Sequence, residues 1–238
     1  MTTQVLTLRI DGREVSGLAA ETILHVAREN DISIPTLCAL EGLSTPGSCR
    51  LCMVQINGSD KLHAACVTPI QEGMVVTTQS DKILQYRRAI IELLFSERNH
   101  VCAVCVANGH CELQDLAREF GVDHVEMAYR FPALTVDASH SRFVLDHNRC
   151  VLCTRCVRVC AEIEGAHTWD IKHRGIHSLI VADLDTSWGA SETCTGCGKC
   201  VHVCPTGALC EKGTSVAELH KKRPFLPYLL ANRTVDRR

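Results

Sequence analysis

The amino-acid sequence predicts an α+β chain built from several small modules, each anchored on cysteine. Three observations carry this. Sixteen of the 238 residues are cysteine, and fifteen of them fall into clusters of three or four. Val5-Leu-Thr-Leu-Arg-Ile10 alternates apolar and polar residues as a half-buried strand does. Further along, apolar residues recur at helical spacing in stretches such as residues 81–95, between one cysteine cluster and the next.

Composition narrows the class. Net charge is −2 and the charges are interspersed, so no nucleic-acid footprint is visible and no nucleic-acid partner is expected. The first residues, Met1-Thr-Thr-Gln-Val-Leu, lack the charged stretch and apolar run of a secretory signal. No apolar run approaches the roughly eighteen residues of a membrane helix, so no membrane insertion is expected. A reducing, cytoplasmic setting follows, and there clustered cysteines favour metal over disulfides. Aromatics make up only 4% of the chain. Metal centres then serve as cores, and binding them contributes directly to folding.

Residues 1–79 read as a first module. After the strand 5–10, Asp11-Gly12 signals a two-residue hairpin turn and a second strand near 13–16. Residues 21–30 read as a helix with Ile23, Leu24, Val26 and Ala27 on its apolar side. Strands are expected at 53–56 and 74–78. Hairpin, helix and later strands suggest a β-grasp ferredoxin-like domain. Its cysteines, Cys38, Cys49, Cys52 and Cys66, are spaced C-x10-C-x2-C-x13-C. That is the plant-type C-x4-C-x2-C plan with a longer first loop, and it predicts a [2Fe–2S] cluster. Gly42, Gly47 and Ser48 keep the loop small enough for backbone N–H groups to reach sulfur, which tunes the potential. The competing reading is four unrelated buried thiols.

Residues 80–132 begin with an amphipathic helix over 81–95, with Ile83, Leu84, Ile90, Leu93 and Leu94 at helical spacing and Ser80 or Asp81 as its cap. Cys102, Cys105 and Cys111 follow as C-x2-C-x5-C, one ligand short of a [4Fe–4S] cube. Histidine is the natural fourth ligand. His100 and His110 are the candidates. His110 adjoins Cys111, and neighbouring residues seldom both reach one metal, so His100 is expected. An imidazole in place of a thiolate makes the cluster less negative and raises its potential.

Residues 133–212 hold the strongest signal. Cys150, Cys153, Cys156 and Cys160 form C-x2-C-x2-C-x3-C; Cys194, Cys197, Cys200 and Cys204 repeat it and are followed by Pro205. This is the bacterial 2[4Fe–4S] ferredoxin spacing, in which the fourth cysteine of each run serves the other cluster. Cys150, Cys153, Cys156 and Cys204 are therefore expected on one cube, and Cys194, Cys197, Cys200 and Cys160 on the other. The fourth cysteine is placed at the start of a helix, where Pro205 would cost no hydrogen bond. Zinc sites, the competing reading, favour two C-x2-C pairs held a dozen or more residues apart. Arg142–Leu145 and Leu179–Val181 read as strands, and Cys210 as a structural thiol. The tail, residues 213–238, reads as a solvated end or as an arm whose apolar residues pack on a partner; Pro224 and Pro227 argue against a regular helix.

The order of modules resembles the electron-transfer region shared by the large iron–sulfur subunit of complex I, the accessory half of [FeFe]-hydrogenases, and the diaphorase small subunit of NAD-reducing [NiFe]-hydrogenases. The resemblance covers about residues 1–212. Ser96-Glu-Arg-Asn-His-Val-Cys-Ala-Val-Cys-Val-Ala-Asn-Gly-His-Cys-Glu-Leu-Gln-Asp115 most resembles the hydrogenase diaphorases, with histidine two residues before the first cysteine. In the other two families it stands four before, where this chain has Arg98. A free-standing chain of this size also fits the diaphorase subunit. The resemblance implies an oxidoreductase-complex subunit with no catalytic residues of its own, relaying single electrons through one [2Fe–2S] and three [4Fe–4S] clusters. It implies as partners a flavin/NAD-binding diaphorase subunit, carrying FMN and NAD(H), and the small and large [NiFe]-hydrogenase subunits. The alternative is the same role in another NAD-linked complex, such as a formate dehydrogenase, an electron-bifurcating enzyme or a complex I-like NADH dehydrogenase. No glycine-rich dinucleotide fingerprint is present in the sequence.

Overall fold

The computed structural model describes residues 4–227. The chain divides into two compact units: residues up to 39 together with 45–90, and residues 40–44 together with 91 onward.

In the first unit, β1 (Val5–Ile10) and β2 (Arg13–Leu18) pair antiparallel in full register. Asp11 and Gly12 have φ of 49° and 80°, the doubly left-handed turn that matches strand twist. Asp11 is held there because Thr78 donates to its carboxylate through both N–H (2.8 Å) and Oγ1 (2.5 Å). Helix α1 (Ile23–Glu29) follows, with Thr22 Oγ1 accepting from His25 N at its start. It buries Ile23, Leu24, Val26 and Ala27. Strands β3 (Met53–Ile56), β4 (Leu62–Ala64) and β5 (Val75–Thr77) complete a sheet of order β2-β1-β5-β3-β4. Only β1 and β5 run parallel, which is the β-grasp arrangement.

Helix α2 (Asp81–Glu97) runs across the division between the units. Ser80 Oγ accepts from Ile83 N and caps it. Its buried stripe differs from the expected one. Ile83, Arg87 and Ile91 are buried at successive fourth positions, while Leu93 is exposed. Arg87 belongs inside because its guanidinium donates to the carbonyls of Leu51 and Met53, which satisfies a charge that burial would otherwise penalise.

The second unit is built from short pieces. Helix α3 (Glu112–Glu119) starts at Cys111; β6 (Val136–Asp137), β7 (Phe143–Asp146) and β10 (Leu209–Glu211) form a sheet of order β10-β7-β6. β8 (Trp169–Lys172) pairs antiparallel with β9 (Leu179–Ala182), so the expected strand at 179–181 has a partner that its sequence did not announce. Helices α4 (Arg155–Val159) and α5 (Lys199–Val203) each follow a cysteine loop.

Two expectations are corrected here. The fourth cysteine of the second run, Cys204, lies at the end of α5 and not at the start of a helix, whereas Cys160 directly follows α4 and opens a π-helical turn, Cys160–Glu164. No helix begins at Pro205; that segment turns into β10, and Pro205 O accepts from Glu112 N. The tail as far as residue 227 is not a free end. Leu219 and Leu226 are buried, and Ala217 N and Leu219 N donate to Cys105 O and Val106 O. Residues 228–238 of that tail lie outside the described residues. Among the described residues, no helix is long and apolar enough to cross a membrane.

Candidate iron–sulfur centres

In the first unit, one loop and two strand ends bring Cys38, Cys49, Cys52 and Cys66 together. Cys38, Cys52 and Cys66 are buried and Cys49 is half-buried. Leu37 N donates to Cys49 Sγ and Cys49 N to Cys38 Sγ, both at 3.4 Å, so backbone N–H groups do reach sulfur here. Gly47, at φ 64°, gives the loop its left-handed turn beside Val67. The thiols interact in pairs. A hydrogen bond from Cys49 lowers the Cys38 thiol, against burial, and one from Cys66 lowers Cys52. Cys49 and Cys66 are correspondingly raised by those same hydrogen bonds and by burial. Four sulfurs gathered as two hydrogen-bonded pairs are a donor set suited to an iron–sulfur cluster.

In the second unit, the remaining twelve predicted ligands line three separate cavities of similar size. The first, ≈ 20 Å³, is lined by His100, Cys102, Cys105 and Cys111. The second, ≈ 20 Å³, is lined by Cys150, Cys153, Cys156 and Cys204. The third, ≈ 20 Å³, is lined by Cys160, Cys194, Cys197 and Cys200. The crossing of the fourth cysteines is thus present in the geometry. Burial pushes Cys150 up to about 11 and Cys153 to about 12, and raises Cys156 and Cys200 further. Thiols raised in this way keep their protons unless metal takes the protons' place, which is how such sites couple binding to folding.

His100 has the geometry of a ligand. Burial, assisted by Arg149, lowers its pKa to about 4, so the ring is neutral. One ring nitrogen bonds the backbone of Leu94, and Nε2 is buried with no partner. This is the tautomer and orientation that an outer hydrogen bond imposes on a metal-binding imidazole. His110 instead lies against the His220 ring, centroids 4.3 Å apart.

Some contributors were not singled out from the sequence. A Cβ on Gly207 would lie 2.6 Å from Cys105 Sγ, so glycine lets the bend before β10 approach the His100 cavity. Glu112, beside Cys111, accepts from Arg155 and from Arg223 of the tail, at 2.9 and 2.5 Å, and ties together segments from both cysteine modules. Cys210 lines none of the three cavities and sits buried in β10.

Known iron–sulfur families match three successive stretches of the chain. Residues 3–81 match the family described as 2Fe-2S iron-sulfur cluster binding domain. Residues 87–126 match the NADH-ubiquinone oxidoreductase-G iron-sulfur binding region, and residues 142–210 the ferredoxin-like domain of NADH-quinone oxidoreductase subunit 3. The NADP-reducing hydrogenase subunit HndD of Solidesulfovibrio fructosivorans is 39% identical over 217 residues, 87% of this chain and 36% of that protein. The chain thus spans only about a third of that relative, and 24% of the NADPH-Fe(3+) oxidoreductase subunit alpha of Geobacter sulfurreducens, which is 38% identical over 87% of this chain. The NAD-reducing hydrogenase HoxS subunit gamma of Cupriavidus necator is 33% identical, with 87% of each chain covered. A crystal structure of an NAD+-reducing [NiFe]-hydrogenase contains a chain that superposes with a TM-score of 0.83 at 34% identity, covering 88% of both chains. The chain therefore belongs to the family of iron–sulfur electron-transfer subunits typified by the NAD-reducing hydrogenase gamma subunit and related to the large iron–sulfur subunit of complex I.

Proposed function

We propose that this subunit carries one [2Fe–2S] and three [4Fe–4S] clusters and relays single electrons between a flavin- and NAD(H)-binding diaphorase subunit and the small and large subunits of a [NiFe]-hydrogenase. The reaction served is H2 + NAD+ = NADH + H+. The observation that carries the reading is the gathering of four-ligand sets, in the expected groupings, on a chain alike over 88% of its length to one from an NAD+-reducing [NiFe]-hydrogenase.

The ligand sets we assign are Cys38, Cys49, Cys52 and Cys66 for the [2Fe–2S] cluster, and the three cavity sets for the cubes, with His100 completing the first. When bound, the clusters supply reversible one-electron chemistry between two-electron partners. The chain's own residues hold, orient and tune them. Cysteine sulfurs fix each position, backbone N–H groups at Cys38 and Cys49 stabilise charge on sulfur, and His100 replaces a negative ligand by a neutral one. Cys105, Cys111, Cys153, Cys156, Cys160, Cys200 and Cys204 are buried, which limits water at their sulfurs, while Cys197 is exposed. A second reading, the same role in another NAD(P)-linked complex, is favoured by the 39% and 38% identities to HndD and the NADPH-Fe(3+) oxidoreductase.

Mass spectrometry of proteins copurifying anaerobically with the chain tests the reading. A flavoprotein together with [NiFe]-hydrogenase subunits is expected. A flavoprotein with a different substrate-converting subunit would replace the hydrogenase assignment with the second reading.

A further inference from the structure

The chain has two tryptophans, Trp169 and Trp188, and both line the cavity of Cys160, Cys194, Cys197 and Cys200. They come from different elements. Trp169 opens β8; Trp188 opens a short turn six residues before Cys194. Both are buried, at 4% and 1% exposure. Their rings meet edge to face with centroids 4.7 Å apart, and Trp188 also stacks on Phe143 at 5.3 Å. Asp137 Oδ2 accepts from Trp188 N at 2.7 Å and fixes its backbone.

An indole N–H only donates, and when buried it needs an acceptor. Here the acceptors are sulfurs. Trp188 Nε1 donates to Cys194 Sγ at 3.2 Å. Trp169 lines the same cavity as Cys200, and its side chain acts on that sulfur to offset part of the burial that raises the thiol. Thr168 N adds a backbone donor to Cys160 Sγ at 3.3 Å. Two of the four sulfurs thus receive an N–H at hydrogen-bond distance, one of them from an indole, and the second indole acts on a third sulfur. The cavity of Cys150, Cys153, Cys156 and Cys204 has no indole, because the sequence contains no third tryptophan.

We propose that Trp188 and Trp169 are positioning residues that raise the reduction potential of the [4Fe–4S] centre held by Cys160, Cys194, Cys197 and Cys200, by donating hydrogen bonds to two of its ligand sulfurs. The inference rests on the iron–sulfur reading of that cavity. One-electron reduction of a cube from the 2+ to the 1+ state adds a negative charge that its sulfurs share, so a donor aimed at sulfur stabilises the reduced form more than the oxidised one. An indole does not titrate in the working range, so this stabilisation does not vary with pH.

The test uses the holo full chain and its Trp188→Phe, Trp169→Phe and double variants, reduced with dithionite in an EPR-monitored redox titration. Iron and acid-labile sulfide are measured on each. Phenylalanine keeps the aromatic packing and deletes the donor. We expect one [4Fe–4S] midpoint to move to more negative potential in each single variant and further in the double, with the other centres unmoved and iron unchanged. Wild-type iron with every midpoint unmoved overturns the proposal, as does an equal shift of all centres. If the variants lose the cube, wild-type chain labelled with indole-15N tryptophan is examined instead by pulsed EPR. A 15N coupling on the reduced cube supports the proposal, and its absence overturns it. Zinc without sulfide in the wild type would overturn the iron–sulfur reading itself, a distinguishable failure.

Discussion

Leu152 and Gly196 occupy the same position in two copies of one loop. Each directly precedes the second cysteine of its C-x2-C-x2-C run, and each has left-handed backbone, with φ of 51° and 68°. Directly after that cysteine, Thr154 and Gly198 repeat the relationship at 59° and 73°. The alternation of left-handed residues around the second cysteine curls the loop around its cavity. The second run uses glycine at both places, where the conformation is free of Cβ strain, whereas the first uses Leu152 and Thr154 and bears it.

That contrast predicts a graded response in the second loop. A Cβ on Gly196 meets nothing within 4 Å, while one on Gly198 lies 3.1 Å from Phe143 Cζ. Gly196→Ala therefore costs only the conformational term, about 1 kcal/mol, and Gly198→Ala costs more. Urea midpoints of the holo chain read both. A Gly196→Ala variant as stable as wild type would contradict the left-handed loop.

Glu112 links segments of the second unit through Arg155, whose side chain is only 2% exposed. Burial raises the Glu112 carboxyl, but Arg155 and Arg223 together outweigh it and hold the pKa below the ordinary value. A carboxylate depressed in the fold contributes stability that is present above its unfolded pKa, about 4.3, and lost as pH falls through the folded value. Glu112→Gln strands the buried Arg155 charge and lowers stability by about 3 kcal/mol at neutral pH. The gap between wild type and variant is the readout, because cluster thiolates also take up protons in acid. It closes as pH falls below about 4; a gap independent of pH would show that the ion pair is not its source.

His100→Ala should remove or alter only the centre it shares with Cys102, Cys105 and Cys111. Iron falls toward about 10 per chain from about 14, while His110→Ala leaves it unchanged. Full iron with an unaltered low-temperature EPR spectrum in His100→Ala would reject this ligand. Gly207→Ala provides an independent probe, since its methyl group would displace Cys105 Sγ; we expect the same centre to be perturbed.

Lys221 anchors the tail by donating to Val201 O and Thr206 O at 3.0 and 3.2 Å, and burial lowers its pKa. Lys221→Ala leaves two buried carbonyls without their donor, at a cost of about 2 kcal/mol. Thermal unfolding of the holo chain measures it. A melting temperature equal to wild type would mean that the tail does not dock.

The cysteine sets were legible because cluster loops place their ligands by local spacing: C-x2-C-x2-C-x3-C leaves little freedom once a cube must be wrapped. The Asp11-Gly12 hairpin was legible for the same local reason. What escaped was long-range. β4 is three residues long, and β8 begins at a tryptophan that nothing nearby marks as a strand start. Arg87 fills a buried helix position because two distant carbonyls accept from it, which no periodicity reveals. The tail reads as a solvated end or as an arm packing on a partner, yet Leu219 and Leu226 are buried within the chain itself and Arg223 and Lys221 find their partners on other segments of the second unit. The adjacency of His110 to Cys111 already favoured His100, and the hydrogen bond of its ring to the Leu94 backbone, which spacing does not reveal, sets it in the cavity wall.

Iron, acid-labile sulfide and zinc counted together on the anaerobically purified chain test the central claim most directly. One two-iron and three four-iron centres predict about 14 iron and about 14 sulfide per chain, with negligible zinc. Zinc without sulfide would contradict the whole assignment.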